Sequence, residues 1–183
     1  MRHRRMLLLV TLSVIAFCSL APSQQPQFTV CKSTYALCTK AKCTHIADNE
    51  KEVSCACEVR TGYSLGTQPC ESAQQAKDSQ TLKSRYYPIK SYARCSNDRP
   101  WAYCLDATCT VDNADKTKAS CTCKLVRNQG DYVITGDRYD KSTCTTGIIS
   151  SATVDQIDQA TDFLETQDAL APFDFKVLNV QHR

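Results

Sequence analysis

Histidine, glycine and long apolar runs are scarce in this chain. Its 183 residues hold three histidines and five glycines, and the longest apolar stretch is 7–17 near the start. Past residue 23 only His45 and His182 remain, so Ser–His or Cys–His nucleophile chemistry has just two possible bases. No G-x-S-x-G motif is present, and no carboxylate pair is marked out, so no catalytic residue is assigned. Zinc sites favour paired C-x₂₋₄-C knuckles or Cys/His mixtures, and neither histidine stands at ligand spacing to a cysteine pair. Neither a metal nor a cofactor is therefore expected. The Asp-rich turn around Asp112, Asn113 and Asp115 lacks the Gly and distal Glu of a calcium-binding EF-hand loop. The run 7–17 is shorter than the roughly 20 apolar residues that span a bilayer, and nothing later approaches it, so no integral membrane segment is expected.

The sequence opens MRHRRM, continues with LLLVTLSVIAF and reaches small residues at Ala21 and Ser23. A positive start, a short apolar core and small residues make a secretory signal peptide, expected over 1–23 with a mature start near Gln24. Cys18 offers a rival reading as a lipidated cysteine, but the bulky Phe17 before it argues against that. Arg2, Arg4 and Arg5 leave with the leader, so the 22 basic residues fall by three to match the 19 acidic ones. Such a surface has no net field for polyanions, and nucleic acid is not expected as a partner.

What the chain does have is cysteine. Beyond the leader, cysteines stand at 31, 38, 43, 55, 57 and 70, and again at 95, 104, 109, 121, 123 and 144. The gaps are 6, 4, 11, 1, 12 residues and then 8, 4, 11, 1, 20, so the inner spacing recurs unchanged. At an offset of 66, residues 35–57 lie on 101–123 without a gap and share eight identities, four of them cysteine. An even count, an export signal and a repeated spacing read as a duplicated disulfide framework in a secreted or periplasmic protein. All six bridges are expected within the halves, three in each, because short loops close at lower entropic cost.

The runs VSCACEV (53–59) and ASCTCKLV (119–126) alternate small or branched residues with cysteine. Residues two apart on a strand share a face, so each Cys-x-Cys pair (Cys55/Cys57, Cys121/Cys123) points one way and reaches two separate partners. Redox-active dithiols are the other reading of these pairs. Polar stretches before each run, HIADNEKE and VDNADKTK, are turns, and a further turn at Asn128-Gln129-Gly130 precedes another strand. The fold class expected is small disulfide-rich β: repeat 1 over 24–70, connector 71–94, and repeat 2 over 95–147, each repeat an antiparallel meander.

The six-cysteine order with spacing 6-4-11-1-12, and the tail CACEVRTGYSLGTQPC with Gly62-Tyr63 before Cys70, resemble an EGF-like module. The second repeat lacks the Gly-aromatic pair and lengthens the last loop. The resemblance implies pairing first to third, second to fourth and fifth to sixth, and a binding role.

In the connector, Arg85, Tyr86, Tyr87 and Tyr92 read either as a ligand platform or as packing between the repeats. Trp101 is the one tryptophan and a core anchor. In the tail, 148–183, Val154, Ile157, Thr161 and Leu164 follow helical spacing, with Ser150 or Ser151 as cap and an end near Asp168. Alternating Phe173, Phe175 and Val177 predict a final strand, and helix and strand are expected to dock on repeat 2. Three functions compete: a non-catalytic binding or structural protein whose partner is an extracellular or periplasmic protein or glycan, an inhibitor plugging a secreted hydrolase with a loop at 60–69 or 127–141, and an enzyme of unknown reaction.

Overall fold

The computed structural model describes residues 27–71, 74, 75, 79–87, 89–170 and 175–179. The expected leader with Cys18 and Gln24, and residues Lys77, Pro172, Phe173, Asp174 and His182, lie outside these.

Two long strands, β1 (Thr29–Ile46) and β2 (Asn49–Gly66), make a hairpin. They are followed by β3 (Gln74–Gln75), β4 (Gln80–Arg85), β5 (Ser91–Cys95), β6 (Trp101–Tyr103), β7 (Thr108–Val111), β8 (Lys118–Val126) and β9 (Tyr132–Thr135). Strands β10 (Ile148–Ile149) and β11 (Ala152–Thr153), helix α1 (Val154–Glu165) and β12 (Lys176–Val177) complete the order. The polar stretches form the turns. Asn49 Oδ1 accepts from the backbone N–H groups of Lys51 and Glu52, both at 3.0 Å. Asp112 Oδ1 accepts from Ala114 N at 2.7 Å and Asp115 N at 3.2 Å. These side chains replace backbone partners that a tight turn leaves without a ladder.

Strands β1, β2, β8, β7 and β4 hydrogen-bond in that order, and β4 runs parallel to β1, closing a small barrel. A second sheet, β11-β9-β5-β12, shares its core through Tyr92, Val133 and Ala152. Two separately closed meanders are therefore not what forms. An isolated two-stranded hairpin is marginal and leaves open edges. Pairing β2 against β8 joins the hairpins and removes an edge from each.

The pairing has a regular symmetry. Cys55 faces Cys121, and the hydroxyls of Ser54 and Ser120, 66 positions apart, lie 2.8 Å from each other. Ser84 N donates to Ala107 O at 2.9 Å, and Ser150 N, 66 residues later, donates to Ala41 O at 2.8 Å. The parallel pair Ala36–Ser84 is matched by Ala102–Ser150. Each hairpin thus takes its third strand from the segment following the other: β4 runs along β7, and β10 along β1.

All six bridges stay within halves: Cys31–Cys70, Cys38–Cys57, Cys43–Cys55, then Cys95–Cys144, Cys104–Cys123 and Cys109–Cys121. The pairing is first to sixth, second to fifth and third to fourth, which overturns the pairing implied by the EGF resemblance. Strand register decides it. Cys43 lies directly opposite Cys55 with Cα atoms 4.0 Å apart, and Cys109 faces Cys121 in the same way. Four of the bridges fill the barrel interior, where Ala36, Ala102 and Ala119 leave little aliphatic volume, and Cys38 Sγ sits 3.4 Å from Cys121 Sγ. Each bridge contributes about 2–4 kcal/mol by restricting the unfolded chain.

The segment read as a connector supplies β3, β4 and most of β5. Helix α1 buries Ile157, Ala160, Thr161 and Leu164, as its stripe predicts. Its cap is Thr153, which forms a capping box with Gln156; Ser150 and Ser151 are buried instead. The helix also ends at Glu165, short of Asp168. It docks on both halves: Ile157 shares a core cluster with Val133 of β9, Leu164 packs with Leu65 of β2, and Phe28 and Phe163 have ring centroids 5.7 Å apart. The final strand shortens to Lys176–Val177 and pairs with β5.

Among the described residues, no helix is long and apolar enough to cross a membrane. Six disulfides suit an oxidising, extracellular or periplasmic environment.

Candidate functional site

Strand β4 carries Arg85 into the interior at 3% exposure. Its guanidinium pairs with Asp106 at 2.8 Å and donates to Gln68 O at 3.0 Å and Pro69 O at 3.4 Å, with a further contact to Cys31 Sγ. Asp106 sits in the β6–β7 connection with φ of 60°, a conformation that Asp tolerates. Its other carboxylate oxygen accepts from Thr67 N at 2.7 Å and Thr67 Oγ1 at 2.8 Å. A buried ion pair is stable only with its remaining polar positions filled, and this one is clamped on every side. Gly66 lies against it: a Cβ there would overlap the guanidinium.

Tyr86 is buried beside the pair. Its hydroxyl accepts from Cys104 N at 3.2 Å and lies 3.4 Å from both Ser150 Oγ and Ser151 O. Tyr92 is buried too, 5.1 Å from the Phe175 ring, with its hydroxyl 3.4 Å from Asp158. Tyr87 is partly exposed and packs beside Leu65 and Leu164. Three of the four residues offered as a ligand platform are thus interior groups joining the halves, because β4 and β5 are barrel and sheet strands.

Burial holds the Tyr86 phenol protonated well above the usual tyrosine range, the Ser150 hydrogen bond opposing it. Unfolding returns the group to its ordinary value near 10. Above that pH the unfolded chain releases a proton that the folded chain keeps, so stability falls as pH rises. The melting temperature is expected to fall more steeply above about pH 10 in the wild type than in Tyr86→Phe. Parallel pH profiles from scanning calorimetry would contradict this.

Two sulfur clusters stand in the core, Cys38 with Cys57 and Cys121, and Cys43 with Cys55 and Cys104, their atoms within 4.8 Å. Every one of these sulfurs is in a disulfide and offers no thiolate, the form that ligates metals or attacks as a nucleophile. His45 is exposed in a shallow recess at the first hairpin tip, beside Asp48, Glu50 and Arg127.

A second concavity is an open groove of about 680 Å³ between β1 and the β5–β9 pair. A register shift creates its wall. Between Leu37–Glu58 and Lys42–Ala56, residues 38–41 of β1 face Cys57 alone, so the strand bulges outward. Thr135 Oγ1 donates to Thr39 O at 3.2 Å, anchoring the bulge to β9. Lys40, Lys42 and Lys90 are exposed along the groove, with Glu58, Arg60 and Asp137 at its margin. The sequence marks none of these lysines, because the gap of four residues between Cys38 and Cys43 does not reveal a bulge. The equal gap between Cys104 and Cys109, holding Asp106 in a left-handed turn, is the one hint.

Compared with protein-family models, characterised proteins and solved structures, the chain matches none of them.

Proposed function

We propose that this is an exported, non-catalytic binding protein, built from a duplicated six-cysteine unit whose two copies share one barrel. The observation that carries the reading is the division of polar groups. Arg85, Asp106, Tyr86 and Tyr92 are spent inside the fold, whereas an open groove between β1 and the β5–β9 pair carries exposed lysines. Such a rigid, disulfide-filled scaffold presents its groove at low entropic cost. The symmetric pairing at 66-residue separation supports duplication. The leader-like start of the sequence supports export, which puts the partner, an extracellular or periplasmic protein or glycan, outside the cytoplasm.

The test is affinity capture with the mature protein from native culture medium or envelope, followed by reconstitution with the purified partner. A stoichiometric complex on gel filtration is the expected result. No reconstituted complex, or turnover of a substrate by the purified protein, counts against the proposal. A second reading, hydrolase inhibition, draws on the loop after β9: Arg138 is exposed there, and Tyr139 is an exposed large hydrophobic residue at 38%. Slowed hydrolysis in a panel of secreted proteases, relieved by Arg138→Ala/Tyr139→Ala, would favour it.

A further inference from the structure

The symmetric relation between the halves exposes an inversion of charge. The second-half bulge places Asp106 against the Arg85 guanidinium, sealed at 2.8 Å inside the protein. Sixty-six positions earlier, the first-half bulge carries Lys40 where the second carries Asp106. The counterpart of Arg85 is Ser151, which is buried and donates its hydroxyl proton to the carbonyl of Val133. One bulge thus has its charge neutralised from within, and the other has no internal counter-ion.

Lys40, Lys42 and Lys90 are all exposed, and none makes an ion pair among the described residues. Of the two acids at the margin, Glu58 is already engaged by Arg60. Asp137 alone is left against three ammonium groups. Thr39 stands in the same wall, and its hydroxyl is the one buried side-chain N or O atom without a hydrogen-bond partner among the described residues. Leu37, Ala41 and Ala56 give the groove small apolar surface, and among the described residues no aromatic ring lines it. Sugar and base recognition use ring faces for stacking, which this groove lacks.

We propose that the groove binds an acidic peptide segment of a partner protein, with its carboxylates seated among Lys40, Lys42 and Lys90. This rests on the binding reading above and names the chemistry of its ligand. Ammonium–carboxylate pairs in an open groove are screened by salt, so the interaction is strongest at low ionic strength.

The test is fluorescence polarisation with labelled hexaglutamate as probe, and with hexaglutamine and a uronate hexasaccharide as the other arms. Wild-type protein is expected to bind hexaglutamate, to ignore hexaglutamine, and to weaken several-fold between low and moderate salt. Lys40→Gln/Lys42→Gln/Lys90→Gln should raise the dissociation constant at least tenfold. Lys51→Gln/Lys116→Gln, at the two hairpin tips, should leave it unchanged. All five lysines are exposed, so folding is not at stake. Absent hexaglutamate binding, or binding untouched by the triple substitution, overturns the assignment. Tighter binding of the uronate assigns the groove to an acidic glycan and overturns the peptide. A partner captured equally by wild-type and triple variant also overturns it but leaves the binding reading intact. That reading fails separately when no partner can be captured and reconstituted.

Discussion

Produced separately, fragments 24–78 and 79–183 are expected to oxidise their cysteines yet show no cooperative melting, and to recover it on mixing. Each keeps three bridges, because no disulfide crosses between the halves. What each loses is its sheet. The first fragment gives up β8 along β2, β10 and β4 along β1, and with them the wall that buries Cys38, Cys55 and Ala36. The second fragment loses the partner edge of β8 and the β2 surface under α1. A bridged two-stranded hairpin has little apolar area to bury, and disulfides constrain the unfolded chain without supplying a core. Circular dichroism melts and dye binding read the outcome. A sharp melt in either isolated fragment would mean that it folds alone and that the shared barrel is not required. The tryptic bonds after Lys83 and Arg85 provide a companion measurement. Both lie in β4, paired on two sides, so the native protein should resist cleavage there. After denaturation without reductant, the same bonds should open and the halves separate.

The local features were legible in the sequence and the long-range ones were not. The Cys-x-Cys pairs, the Asn/Asp turns and the stripe of α1 are written in periodicities of two and 3.6 residues, and such patterns survive in a single sequence. Cysteine order alone could not choose the pairing, because register across the hairpin decides which sulfurs meet. The shared barrel left almost no trace. Its symmetric third strands, around Leu82 and Ile148, pair through backbone groups that any residue supplies, and of their side chains only Ser84 and Ser150 are identical at the 66-residue offset. The ion pair of Arg85 was hidden for a related reason. Arginine is seldom buried unless paired, and its partner stands 21 positions away with no periodic signal. The groove lysines carry no signal in the sequence, because the bulge that gathers them is set by strand register.

Arg85→Ala is expected to cost about 3–5 kcal/mol, the scale for breaking a buried pair by removing one partner. The loss comes from what stays behind. Asp106 is nearly enclosed, with only 6% of its side chain exposed, and its carboxylate would keep just the two Thr67 donors. The carbonyls of Gln68 and Pro69 would lose their guanidinium partner as well. Those carbonyls precede Cys70, so the segment leading into the Cys31–Cys70 bridge would be left with Thr67 alone as its tie to Asp106 in the second half. Asp106→Asn is expected to cost less, because Asn accepts the φ of 60° and can still accept from Thr67. Removing both charges in Arg85→Met/Asp106→Asn should cost less than the sum of the single changes, since neither side is left with an uncompensated charge. Gly66→Ala tests the same clamp without altering a charge. Its methyl group would have to displace the guanidinium, so a loss comparable to Arg85→Ala is expected. Urea unfolding with an unchanged slope measures all four variants. An Arg85→Ala protein within about 1 kcal/mol of wild type would show that water replaces the guanidinium at no cost, and that the two halves are held together by the β2–β8 ladder and the barrel core instead.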